Sequence, residues 1–203
     1  MNHPDTLRRL AVQASGVLGL TLLTSPLLAQ DTEIQRFWAL AREGGCLFLM
    51  RHGVTVPGLG DPPQFRLDDC STQGNLSEAG REASRLVGER LATEQITLSA
   101  VYSSAWCRCT DTAHLAFDPH YPPHQVWPAL NSFFQGQGDR DAQTRDVLRR
   151  AATLLKPDNW MLVTHQVNIT ALTGSVPAMG EIFLTRLHPN SPDRLTILAR
   201  LRS

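Results

Sequence analysis

Apolar positions along this chain recur in two ways, as short unbroken runs and as stripes at helical spacing, and the two kinds alternate. Cys46-Leu47-Phe48-Leu49-Met50 and Trp160 to Val163 are unbroken, and Ile96 to Tyr102, interrupted by Thr97 and Ser99, reads as a further strand. A strand apolar at successive residues is buried on both faces, as in a parallel sheet. Between the runs, Glu33 to Ala41 carries Ile34, Phe37, Trp38 and Leu40 on one helical face and stops at Gly44-Gly45. Ser77 caps a helix reaching about Leu91 through Ala79, Ala83, Leu86 and Val87. Arg108 to Ala116 is predicted helical, Asp141 to Leu155 presents Val147, Leu148, Ala151, Ala152 and Leu155, and Val167 to Leu172 starts a last helix. Pro57 to Ser71 and Pro119 to Pro128 are rich in turn formers and read as loops. Glu181 to Leu187 and Leu195 to Leu201 flank His188-Pro189-Asn190-Ser191-Pro192-Asp193, two strands joined by a turn. Strands alternating with helices predict a three-layer α/β/α sandwich with a mainly parallel central sheet. It forms a single domain over residues 30–203.

The first 29 residues differ. Arg8 and Arg9 precede an uncharged run of apolar and small residues from Leu10 to Leu28, followed by Gln30 and Asp31. That is the layout of a signal peptide cleaved near Ala29. Ser15, Gly16, Gly19, Thr21, Thr24, Ser25 and Pro26 dilute the run below what a membrane span wants, although an uncleaved anchor is the alternative. Export implies a periplasmic or secreted chain with no stable membrane span once the leader is removed. It also gives the four cysteines an oxidising compartment. Cys46, inside an apolar run, reads as a buried thiol, leaving Cys70 to pair with Cys107 or Cys109. A zinc site on Cys107-x-Cys109 is the rival reading, and that spacing fits ordinary ligand pairs poorly. Nineteen Lys+Arg balance nineteen Asp+Glu, so no basic surplus marks the chain for nucleic acid or anionic lipid. An anionic ligand has to be met by a local cluster of donors.

In an open α/β sheet, ligands bind beyond the carboxyl ends of the strands. The first run delivers Arg51-His52-Gly53, the second leads through Tyr102-Ser103-Ser104 to Arg108, and the third delivers His165. Two guanidinium forks and two imidazoles on one rim suit a phosphate monoester, because arginine binds two phosphate oxygens at once and stays charged. An imidazole can act as the nucleophile, provided that an acceptor, commonly a backbone carbonyl, holds its other nitrogen. Gly53 lets backbone approach the bound group. The helix near Arg108 can aim its first amides at the same anion. Trp106, Trp127 and Phe133-Phe134 either wall the pocket or fill the core. The other histidines, His3, His114, His120, His124 and His188, read as ordinary surface or core residues.

Leu49-Met50-Arg51-His52-Gly53 resembles the Arg-His-Gly signature of the histidine phosphatase superfamily, the phosphoglycerate mutase-like proteins. Val101-Tyr102-Ser103-Ser104-Ala105-Trp106-Cys107-Arg108 resembles its second-arginine segment, and Leu162-Val163-Thr164-His165 its second-histidine segment. Leu76-Ser77-Glu78-Ala79-Gly80-Arg81-Glu82-Ala83 resembles the helix between the first two motifs. The resemblance implies that His52 becomes phosphorylated, that Arg51 and Arg108 grip the phosphate, that His165 hydrogen-bonds it, and that Thr55 helps to line the pocket. It implies no metal and no organic cofactor. Many members carry a carboxylic acid either after the second arginine or directly after the second histidine. Here those places read Leu130-Asn131-Ser132 and Gln166. Glu181, after Gly180, is the first candidate for the missing acid, with Asp139 and Asp141 behind it. The expected function is hydrolysis of a small phosphomonoester. A phosphomutase, or a non-catalytic phosphate-ligand binder of the same fold, is the alternative.

Overall fold

The computed structural model describes residues 26–57, 61–188 and 190–202. Most of the expected leader, and His3 within it, lies outside those residues. In chain order the elements are α1 (Pro26–Glu43), β1 (Cys46–Arg51), α2 (Glu78–Thr93), β2 (Ala100–Ser103), α3 (Cys107–Ala116) and β3 (Gln125–Val126). They continue as α4 (Arg140–Ala151), β4 (Asn159–Thr164), α5 (Gln166–Thr173), β5 (Ile182–His188) and β6 (Ser191–Leu201). Among the described residues no helix is long and apolar enough to cross a membrane.

The strands form one sheet in the order β3-β2-β4-β1-β5-β6. β3, β2, β4 and β1 are parallel, and β5 and β6 complete the edge antiparallel. Successive residues of β1 face opposite layers. Phe48 and Met50 enter one core with Phe37 and Trp38 of α1, Val87 and Leu91 of α2, and Cys109 and Ala113 of α3. Leu47 and Leu49 enter the other with Val147 and Leu148 of α4 and Ile169 and Leu172 of α5. The sandwich predicted from the alternating elements is therefore present, with helices covering both faces of the central strands.

Several boundaries differ from those the pattern predicts. α1 begins at Pro26, ahead of the expected Glu33. β2 starts only at Ala100, because Ile96 and Leu98 are buried without pairing to a neighbouring strand. β3 lies in the stretch expected as loop: Gln125 and Val126 are exposed, so hydrophobic pattern carries no signal for this two-residue edge. α4 ends at Ala151, leaving Leu155 exposed. Ser191 to Asp193, expected in the turn, belong to β6.

The buried face of α2 is rotated from the expected one. Gly80, Ser84, Val87, Gly88 and Leu91 face inward, while Leu86 is exposed. The reason is close approach: a Cβ on Gly80 would lie 2.0 Å from the Val54 carbonyl oxygen, and one on Gly88 would lie 1.7 Å from that of Ala116. Small residues, more than large apolar ones, define this interface. Ser77 caps α2 as expected, accepting from the Gly80 amide at 3.0 Å.

Candidate active site

Three adjacent parallel strands end side by side and deliver the motif residues to one rim. The His52 amide donates to the Thr164 carbonyl at 3.0 Å, and the Ser104 amide to that of Val163 at 3.0 Å. Backbone pairing thus places Arg51-His52, Ser103-Ser104 and Thr164-His165 on neighbouring strand tips. The His52 and His165 rings lie 5.5 Å apart, steeply inclined to each other.

Each imidazole is held in one tautomer. His52 Nδ1 lies 2.9 Å from the Gly53 carbonyl, which can only accept, so Nδ1 carries the hydrogen and Nε2 keeps its lone pair. Burial, with the charges of Arg108 and Arg51, pushes the His52 pKa down to about 3. At His165, Arg108 Nη2 approaches Nδ1 at 3.4 Å and can only donate. Nε2 therefore bears the hydrogen and donates to Ser104 Oγ at 2.8 Å. Ser104 in turn donates to Asn131 Oδ1 at 3.3 Å. Burial, then His52 and the two arginines, hold His165 well below the usual imidazole range. Both rings are nearly inaccessible, at 6% and 4% exposure, and both are uncharged near neutral pH.

Arg51 bonds the Pro177 carbonyl through Nη1 at 3.1 Å, while its buried Nε has no hydrogen-bond partner. Burial and the nearby Arg108 lower its pKa. An unsatisfied buried donor beside a second guanidinium is costly for a fold to keep. An anion bound between the two arginines removes that cost. Arg108, on the first turn of α3, reaches His165 and is paired with Asp61 at 2.8 Å. Trp106 sets its ring edge against His165, with centroids 5.2 Å apart.

Residues 47–140 match the family model of the histidine phosphatase superfamily (branch 1). Just under half of the chain is thus similar to the histidine phosphatase superfamily. The matched stretch holds the Arg51-His52 and Arg108 blocks, and the sheet brings in His165 from beyond it. Among curated relatives, the serine/threonine-protein phosphatase Pgam5, mitochondrial, of Caenorhabditis briggsae is 31% identical over 144 residues, covering 61% of this chain and 47% of its own. The chain thus spans under half the length of that relative. Among solved structures, the protein histidine phosphatase SixA complexed with tungstate aligns with a TM-score of 0.53 at 16% identity, over 77% of this chain and 96% of its own. A putative alpha-ribazole-5'-P phosphatase from Escherichia coli aligns with a TM-score of 0.55 at 18% identity, over 79% and 97%. These structures share the histidine phosphatase fold.

The other residues expected at the site have surroundings of their own. The side of Gly53 that lacks a Cβ faces α2: a Cβ there would lie 2.9 Å from Ser84 Oγ and 3.0 Å from the Gly80 carbonyl. Its bare face serves packing, and its carbonyl holds His52. The Cys107 amide at the start of α3 is taken by Gln73 Oε1 at 2.9 Å. Glu181 is buried, with Oε2 accepting from the Ala178 amide at 2.8 Å and Oε1 from Arg202 at 3.2 Å. Those partners belong to the approach to β5 and the end of the chain, so Glu181 clamps that corner. Asp139 caps α4 through the Ala142 amide, and Asp141 is exposed on its first turn. Thr55 bridges to Leu76, its hydroxyl 3.9 Å from Met179 Sδ.

Cys70 pairs with Cys107, which removes two thiols from the zinc reading; Cys46 and Cys109 are free and buried. Of the aromatic candidates, Trp106 lies at the site, Trp127 packs in the core beneath the Arg150 guanidinium, and Phe134 is exposed. His114 and His124 both pair with Asp118, away from the strand tips.

Sequence reasoning missed Ser104, Asn131 and Asp61 as partners of the site residues. Ser104 and Asn131 stand inside the motif segments, where their spacing is visible and their role is not. Asp61 carries no signal, being one of several aspartates in a loop of irregular composition.

Proposed function

We propose that this chain is a phosphatase that hydrolyses a small phosphomonoester through a phosphohistidine on His52. The observation that carries this reading is the tautomer of His52. The Gly53 carbonyl takes the Nδ1 hydrogen and leaves a neutral Nε2 lone pair near two guanidinium groups. Arg51 and Arg108 bind the non-bridging oxygens, and the unpartnered Arg51 Nε supplies one of the donors. His52 Nε2 attacks phosphorus as the bond to the leaving oxygen breaks, and water then attacks the phosphohistidine, releasing phosphate. Burial, ahead of His52 and the two arginines, holds His165 neutral, and a bound dianion beside it favours a proton taken from water at Nδ1, through which the ring donates to the phosphoryl group. Asn131 and Gln166 stand where relatives often place an acid, which favours substrates whose leaving oxygen needs little protonation.

The near-complete burial of both histidines supports a small substrate, and the Cys70–Cys107 bond supports work in an oxidising compartment, periplasmic or secreted. The Pgam5 relative's name gives a second reading, a phosphoprotein substrate. An aryl phosphate tests the reaction: wild type is expected to turn over and to form an acid-labile phosphoenzyme, with both lost in His52→Ala. Turnover surviving that substitution defeats the proposal. Tight phosphate binding without turnover indicates the non-catalytic binder, and rates on a phosphopeptide above those on sugar phosphates select the phosphoprotein.

A further inference from the structure

The loop between β1 and α2 sends a carboxylate into the site that plays no part in the attack on phosphorus or in the hydrolysis of phosphohistidine. Asp61 Oδ1 accepts from Arg108 Nη1 at 2.8 Å and Oδ2 from Nη2 at 3.0 Å. The Gly74 amide also donates to Oδ1 at 3.0 Å, and the Trp106 indole to Oδ2 at 3.0 Å. Every carboxylate oxygen therefore has two donors, an arrangement that fixes the group as an anion and makes it a poor proton carrier. Burial by itself would raise the Asp61 pKa, but the Arg108, Gly74 and Trp106 hydrogen bonds hold it below the usual carboxylate range.

The loop is itself fastened beside α3. Cys70 is bonded to Cys107, Gln73 accepts from the Cys107 amide, and Phe65 packs on Trp106 with centroids 5.4 Å apart. A guanidinium is rigid and planar, so holding its two outer nitrogens decides where the rest of it points. With Nη1 also donating to the Gly74 carbonyl at 3.4 Å, the edge left for a ligand runs from Nε to Nη2. Nη2 lies 3.4 Å from His165 Nδ1, so that edge faces the histidines.

We propose that Asp61 is a positioning residue for phosphoryl transfer, holding Arg108 with its Nε–Nη2 edge aimed at the group that passes to His52. This rests on the phosphatase reading. Its negative charge also offsets one arginine, so the resting dianion is gripped less tightly than two unpaired guanidiniums would grip it. Binding is thereby directed to the geometry of transfer, where it lowers the barrier.

The test uses the full chain carrying Asp61→Asn, Arg108→Ala and both together. In Asp61→Asn, kcat on an aryl phosphate is expected to fall about 10- to 100-fold, as for a misplaced positioning group. KM and the Kd for inorganic phosphate should tighten a few-fold, because a repelling charge is gone. In the Arg108→Ala background the same substitution should change kcat less than about twofold, since its effect runs through the missing guanidinium. Wild-type kcat and KM in Asp61→Asn, or an undiminished effect without Arg108, overturns the inference. A lower kcat with unchanged KM and phosphate affinity also overturns it, because that marks only a smaller folded fraction. Should Asp61→Asn not fold, Asp61→Glu, which moves the charge by one methylene, is read in the same way. An inactive wild type overturns the phosphatase reading alone. Asp61 is then judged on orthovanadate affinity, which is expected to weaken in Asp61→Asn and to be insensitive to it without Arg108; equal affinity in wild type and Asp61→Asn overturns the assignment.

Discussion

At the scale of single residues, the chemistry of this site is decided by which nitrogen of each imidazole holds its hydrogen. His52 is fixed by a carbonyl in its own turn, and His165 by a chain through Ser104 to Asn131. Removing the first link of that chain with Ser104→Ala deletes a hydrogen bond worth roughly 1 kcal/mol, so kcat on an aryl phosphate should fall about fivefold. Unchanged kcat shows that Arg108 alone orients His165. The depressed His52 pKa has a consequence for stability. An unfolded histidine titrates near ~6.5, whereas folded His52 does so at about 3. Between those values only the unfolded chain takes up this proton. The stability associated with a neutral His52 is therefore complete above ~6.5 and is lost as pH falls toward about 3. His52→Asn should flatten the acid slope of the unfolding free energy by on the order of 1 kcal/mol per pH unit in that window, measured by denaturant titration. Parallel slopes in the two proteins contradict a buried, neutral His52.

At the scale of elements, α2 and the loop before it set how closely the site is assembled. Alanine is a better helix former than glycine by ~1 kcal/mol, so Gly88→Ala looks stabilising from sequence. The Ala116 carbonyl 1.7 Å from the new Cβ reverses the sign. Forcing the α2–α3 interface apart should cost about 1–3 kcal/mol or more, read as a lower denaturation midpoint. A rise in midpoint means that the two helices have room to separate. The Cys70–Cys107 bond closes a loop with a sequence separation of 37, worth up to roughly 4 kcal/mol through the unfolded chain. Replacing both cysteines by serine should lower stability toward that limit and lower kcat as well, because the same loop carries Asp61 to Arg108. Lost stability with full kcat in the folded protein separates the bond from the site.

At the scale of the whole molecule, the site is where strands from distant parts of the chain end together, so a ligand there ties the sheet to α3 and the β1–α2 loop. Orthovanadate binding only the folded state should stabilise it by ~2.7 kcal/mol at a concentration about 100 times its Kd. The gain is expected to vanish in Arg51→Ala, whose guanidinium supplies the unpartnered donor. A shift that persists there locates the anion elsewhere. The chain's zero formal net charge gives no long-range pull on an anion. Capture therefore depends on this local pair of arginines.

The chain's order of residues determined by itself the set of strand tips. Apolar stretches of this length, uninterrupted at 46–50 and 160–163, suit buried strands, and the residues directly after such strands stand at the rim of a sheet. Arg51, His52 and His165 were accordingly legible in the sequence, and Arg108 through its distance from the second run. The rotation of α2 was not, since its inward stripe is made of Gly80, Ser84 and Gly88, which no hydrophobic period marks. Nor was the choice among Glu181, Asp139 and Asp61. An acidic side chain looks the same in sequence whether it caps a helix, clamps a corner or holds an arginine. Only the path of the loop through space selects its partner, because an ion pair forms with whatever tertiary packing brings within a few ångströms.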